Sequence, residues 1–129
     1  MKTTKNILII IEETQGMAEM ATGIADALKE EKVSVKNVSE FKGNEILPAD
    51  AFFLGCETPN PASFTYITDL FRHINLAKRP CGVFSSGTKE AAGYLTSLVH
   101  DSEAALKKEP LYAGSETGIK EWAQSVIAG

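Results

Sequence analysis

Five consecutive apolar residues, Ile7 to Ile11, stop abruptly at the polar stretch Glu12-Glu13-Thr14-Gln15-Gly16. Apolar positions then recur at Met17, Met20, Ala21, Ile24, Ala25 and Leu28, the spacing of one helical face, with Glu19, Asp26, Lys29 and Glu30 opposite. A strand buried on both faces that feeds a helix through a short loop is the opening unit of a parallel α/β sheet. Gly23 is expected to weaken that helix slightly or to let it pack closely on the sheet. The theme then repeats. Val33-Ser34-Val35-Lys36 alternates as an edge strand does. Ser39 to Pro48 has no clean period and predicts a short, irregular crossover. Ala51 to Cys56 predicts a central strand, and Phe64, Ile67, Leu70, Phe71 and Ile74 mark the next helix. Cys81 to Phe84 reads as a fourth strand, followed by a helix on Ala91, Leu95, Leu98 and Val99. Pro110 closes that region, and Leu111-Tyr112-Ala113 is a minimal, uninterrupted fifth strand. Ile119, Trp122, Ala123, Val126 and Ile127 form a last amphipathic helix, with Glu116 placed for its N-terminal dipole.

Strands alternating with helices force parallel pairing through right-handed crossovers. The expected architecture is a three-layer, doubly wound α/β domain with a five-stranded parallel sheet in the order 2-1-3-4-5. The 129 residues suffice for one such domain, residues 1–129. In this architecture ligands sit at the carboxyl ends of the strands. Loops 12–18, 56–62 and 85–88 should therefore converge on one crevice.

Composition narrows the field of partners. Thirteen basic against seventeen acidic residues give a formal charge of −4, which argues against nucleic acid or an anionic membrane surface. No apolar run reaches bilayer length, and no small-residue cleavage site follows the basic start, so the expected location is cytoplasmic. The expected state is a monomer or weak homodimer. Cys56 and Cys81 fall near opposite edges of neighbouring parallel strands, so they read as two small buried thiols rather than a disulfide.

Four segments carry a resemblance to the flavodoxin family over nearly the whole chain: ILII with TQGMAE and IADAL, then ADAFFLG, RPCGVFSSG and EWAQSVIA. The resemblance implies FMN as cofactor and one-electron transfer at the flavin. In that family the first loop reads Ser/Thr-x-Thr-Gly-x-Thr and wraps the FMN phosphate. Here Gly16 matches its glycine, while the three hydroxyl positions fall on Glu13, Gln15 and Ala18, and Thr14 takes a variable position. Backbone N–H groups of Gln15, Gly16, Met17 and Ala18 remain to cradle a phosphate. Three hydroxyl bonds to a charged group, about 1.5–3 kcal/mol each, are missing, so FMN affinity is expected to fall by several orders of magnitude. Glu12 and Glu13 add like charge unless they point away.

The second family loop reads Ser/Thr-Pro-Thr-Tyr/Trp after a strand-end glycine. Here it is Gly55-Cys56-Glu57-Thr58-Pro59-Asn60: Thr58 is retained, Glu57 replaces the proline and Pro59 the stacking aromatic. Phe64 and Tyr66 are alternative stacking rings, although both fit the helix pattern better. The third loop, Phe84-Ser85-Ser86-Gly87, is similar to the family's Phe-Gly-Ser/Thr-Gly, whose backbone lies along the flavin edge. The cofactor-contacting set that the resemblance implies is thus Glu13 to Ala18, Cys56, Thr58, Pro59, Asn60, Ser85, Ser86 and Gly87.

Two functions follow. The first is a flavodoxin-like electron carrier with weak or altered FMN binding and a redox partner protein. The second is a flavin-free binding or regulatory module for another small ligand or a protein. Neither requires a catalytic residue or a metal. A two-component receiver domain shares the strand order and the paired acidic residues, but its phosphoacceptor position falls on Gly55-Cys56 and Asp50 lies at the wrong end of that strand. His73 and His100 sit on helix surfaces without ligand partners at metal spacing. Glu12, Glu13 and Glu57 are expected to approach one another at the crevice rim, with their carboxylates solvated.

Overall fold

A computed structural model gives the fold and describes residues 4–106, 108–112 and 118–128. Strand β1 (Asn6–Ile11) runs into helix α1 (Gln15–Ala27) through a loop that Thr14 ends. Thr14 is extended and its hydroxyl accepts from the Met17 N–H, which is why the helix begins there. Strand β2 (Lys32–Asn37) returns along the edge. The segment after it holds only one 3-10 turn, residues 43–45, in keeping with its irregular pattern. Strand β3 (Ala51–Gly55) is buried at every residue, as an apolar run with helices on both sides should be. Then come α2 (Thr65–His73), β4 (Pro80–Ser85), α3 (Lys89–Asp101), two-residue strands β5 (Ala105–Leu106) and β6 (Leu111–Tyr112), and α4 (Ile119–Ala128).

The sheet is parallel, in the order β2-β1-β3-β4-β5, as the alternation predicts. One feature departs from the expectation of an unbroken fifth strand. The position beside β4 is shared: Ala105 and Leu106 pair with Pro80 and Cys81, and Leu111 and Tyr112 pair with Phe84 and Ser85. Pro110 cannot donate to a ladder and stands directly before the second piece, which restarts the strand rather than continuing it. Ala113 and Glu116, assigned above to the fifth strand and to the dipole of the last helix, lie outside the described residues.

Side-chain alternation divides the core in two. Leu8, Ile10, Phe52, Leu54 and Val83 face the side covered by α2, α3 and the irregular crossover. Ile7, Ile9, Ile11, Phe53 and Phe84 face α1 and α4. On that second side Trp122 of α4 packs on Phe53 and Phe84, with ring centroids 5.5 and 6.3 Å apart. Its indole N–H donates to the Glu109 carbonyl at 2.8 Å. Gly82 makes room for this ring, because a Cβ there would stand 2.9 Å from both Phe53 and Trp122. Gly23 turns out to face another helix, not the sheet: a Cβ on it would meet Ile119 of α4 at an ordinary 3.5 Å.

Candidate functional site

The carboxyl ends of β1, β3 and β4 are neighbours at the centre of the sheet, with Ile11 opposite Gly55 and Gly55 opposite Phe84. Their three loops meet there. The first is committed to the helix start. The Met17 N–H is taken by the Thr14 hydroxyl and the Ala18 N–H by the Thr14 carbonyl at 3.0 Å. Of the four N–H groups counted on for a phosphate, these two are spent inside the chain. Those of Gln15 and Gly16 stand in the first turn, where the helix itself offers no acceptor. The Gln15 carboxamide leans along the helix to Glu19 at 3.3 Å.

Of the acidic residues, Glu12 meets Glu57 as expected and Glu13 does not. The Glu12 carboxylate crosses to the second loop and accepts from the Glu57 N–H at 2.8 Å and the Thr58 N–H at 3.4 Å. Glu13 turns the other way, to the Ser39 hydroxyl beyond β2. The Glu12 charge is thus held against the second loop and the Glu13 charge is drawn to Ser39, neither bonded to the first turn of α1. Only Glu57 reaches back toward it. Its Oε1 accepts from the Ser86 hydroxyl at 3.0 Å and lies 3.0 Å from where a Cβ on Gly16 would stand.

The third loop is fixed by short bonds. Ser85 is fully buried, and its hydroxyl accepts from the Gly87 N–H at 3.0 Å. The Ser86 N–H donates to the Met17 sulfur at 3.2 Å, and the Ser86 hydroxyl oxygen lies 3.2 Å from the same sulfur. Met17 itself is fully buried below, with its methyl in the space that Gly55 leaves open. A Cβ on Gly87 would collide with the Glu57 carbonyl oxygen, so the second and third loops touch backbone to backbone and only glycine fits. Thr58, Pro59 and Asn60 form the exposed rim, with Asn60 in the left-handed region at φ 48°. Asn tolerates that conformation better than most residues.

Neither alternative stacking ring is offered to this crevice. Phe64 is fully buried against Tyr94, 6.4 Å between centroids. The Tyr66 hydroxyl is held by the Gly43 N–H at 2.8 Å, over the irregular crossover. Asp50, the acid a receiver would need, accepts from the Asn6 N–H at the opposite end of the sheet. His73 and His100 are exposed on α2 and α3.

Both thiols are buried and unbridged. Burial, with the Glu12 carboxylate adding to it, pushes the Cys56 thiol from its ordinary 9.0 up to about 12. Burial alone holds the Cys81 thiol well above that ordinary value. The thiolate is the reactive form, so in the folded chain at pH 8 an alkylating reagent should label Cys56 about 1,000-fold more slowly than in the denatured chain. The folded rate should still climb above pH 10, which peptide mapping by mass spectrometry can follow. A plateau near pH 9 would mean an ordinary, solvated thiol.

Sequence reasoning placed Gly16, Met17, Ser86 and Gly87 in one crevice, and they are there together. It did not foresee that Glu12 ties the second loop or that Glu57 bonds Ser86. Both are contacts between residues far apart in sequence, and the one available signal was Glu57 standing where the family carries a proline.

No family profile and no curated protein matches this sequence. Solved structures do. A flavodoxin from Streptococcus pneumoniae superposes with a TM-score of 0.81 at 18% identity, covering 95% of this chain and 97% of the other. The fold is that of a flavodoxin. A short-chain flavodoxin associated with a bacterial microcompartment gives 0.81 at 16% identity, with 98% of each chain covered. A variant flavodoxin from Fusobacterium nucleatum, bound to flavin mononucleotide, gives 0.75 at 14% identity over 97% of this chain and 96% of its own. These likenesses span the described flavodoxin-like sheet and its helices. No helix among the described residues is long and apolar enough to cross a membrane.

Proposed function

We propose that this chain is a flavodoxin-like electron-transfer protein that takes FMN weakly, through backbone donors rather than side-chain hydroxyls. The observation that carries the reading is the direction of the acidic side chains. Glu12 is engaged by the backbone of Glu57 and Thr58 and Glu13 by Ser39, so neither carboxylate bonds an N–H at the start of α1. The N–H groups of Gln15 and Gly16 then remain as donors at a helix N-terminus, the general setting for a phosphate. The chain's residues fit the group in part: two of four N–H donors and no family hydroxyl. Gln15 and Gly16 would hold the phosphate, while the backbone of Thr58, Pro59, Asn60, Ser86 and Gly87 would line the flavin.

The flavin supplies one-electron chemistry when bound. The chain's contribution is fixed backbone. The loop carrying Thr58 is braced by Glu12, and the loop carrying Gly87 is braced by Ser85 and Met17. A redox partner protein and a cytoplasmic setting belong to the same reading. The second reading, a flavin-free module, draws on the Glu57–Ser86 bond, which joins two loops across the crevice.

Titration of the purified chain with FMN separates the two. Flavin fluorescence should be quenched with a dissociation constant of about 1–100 μM, weak for this fold yet specific. No quenching at about 1 mM FMN, and none of riboflavin either, would remove the electron-transfer reading and leave the module.

A further inference from the structure

We propose that Glu57 selects the ligand of this crevice by charge, favouring an uncharged flavin such as riboflavin over its phosphorylated form. The inference rests on the flavin reading above and deepens it. A carboxylate oxygen of Glu57 sits beside the first turn of α1, 3.0 Å from the Cβ position of Gly16 and 3.0 Å from the Ser86 hydroxyl that donates to it. The partial positive charge of the helix start therefore already faces an anion belonging to the chain.

Glu57 is also held in place. Its N–H is bound by Glu12 at 2.8 Å, and its carbonyl lies against Gly87 so closely that no side chain fits there. The residue is half-buried, so water screens its charge only in part. A phosphate brought to Gln15 and Gly16 would meet a fixed like charge, whereas the hydroxyl end of an unphosphorylated ribityl chain would meet a hydrogen-bond acceptor. Selectivity of this kind comes from a repulsive element aimed at one ligand, and Glu57 supplies it. The missing loop hydroxyls act in the same direction, since they remove attraction to the phosphate and leave the rest of a flavin untouched.

The test compares the unaltered chain with Glu57→Gln, using riboflavin, FMN and inorganic phosphate as probes. The glutamine oxygen can still accept from Ser86, so the loop contact survives while the charge goes. Glu57→Ala serves as a second variant should the first not fold, with circular dichroism to check each. The unaltered chain should bind riboflavin at least as tightly as FMN. In Glu57→Gln, FMN affinity should rise at least about tenfold and riboflavin affinity should not rise. FMN preferred by the unaltered chain, or both flavins tightening together in the variant, would overturn the inference and leave the flavin reading standing. If neither chain binds any flavin, the flavin reading fails and the phosphate arm decides. Phosphate-induced amide shifts at Gln15 and Gly16 that appear only in Glu57→Gln would uphold charge selection by Glu57. Identical responses of the two chains would overturn it.

Discussion

Replacing Trp122 by alanine should cost about 3–5 kcal/mol of folding stability. The ring is 4% exposed and stands between Phe53 and Phe84, over the slot left by Gly82. Truncation would leave a cavity bounded by sheet backbone and two buried rings, which cannot collapse into it cheaply. It would also free the Glu109 carbonyl that now accepts the indole N–H. A domain of ordinary stability has only about 5–15 kcal/mol to lose, so the variant should unfold well before the parent in urea. Far-UV circular dichroism should follow the transition, since Trp122 is the one tryptophan and its fluorescence goes with it. Trp122→Phe keeps most of the apolar body and loses the hydrogen bond, and should cost about 1–2 kcal/mol. An alanine variant within about 1 kcal/mol of the parent would mean that α4 is anchored by something other than this ring.

Restoring the phosphate-loop hydroxyls with Glu13→Thr, Gln15→Thr and Ala18→Thr together should raise FMN affinity at least about tenfold. None of the three side chains supports the core. Glu13 and Ala18 are exposed, and Gln15 reaches only Glu19 on the surface of α1. Thr14 keeps its place as the cap, so the helix start is undisturbed. Each new hydroxyl aimed at a phosphate would contribute about 1.5–3 kcal/mol before the costs of ordering and of threonine in a helix. One well-placed bond is therefore enough for the expected gain. Quenching of flavin fluorescence measures it directly. If affinity does not change, the loop is not shaped around a phosphate, and Gln15 and Gly16 are not its donors. The gain should not simply add to that of Glu57→Gln, because the Glu57 carboxylate stands beside Gly16, between the substituted positions, and both changes act on one phosphate.

The sheet was legible because β1, β3 and β4 are buried on both faces and so appear as unbroken apolar runs. The helices were legible because one stripe of each meets the sheet or a neighbouring helix. What escaped was the division of the fifth strand. Ala105 and Leu106 make only two pairs, too few to leave an alternating pattern, and they lie on the far side of Pro110 from Leu111 and Tyr112. Within the site, the glycines could be read because each answers a local backbone demand. The fate of Glu12, Glu13 and Glu57 could not, since it depends on partners 45, 26 and 29 residues away. No local periodicity records such distances. The spending of the Met17 and Ala18 N–H groups, by contrast, follows from Thr14 as a cap, a residue of the capping type standing directly before the helical pattern.

Gly82 and Trp122 lie forty positions apart and behave as one heritable unit. A bulkier residue at 82 would meet Phe53 as well as Trp122, so it is tolerable only where both rings give way, and a smaller ring at 122 opens a hollow that only a change at 82 or its neighbours can refill. Drift can rewrite the exposed rim of the crevice one residue at a time, while these buried positions can change only together with the rings around them.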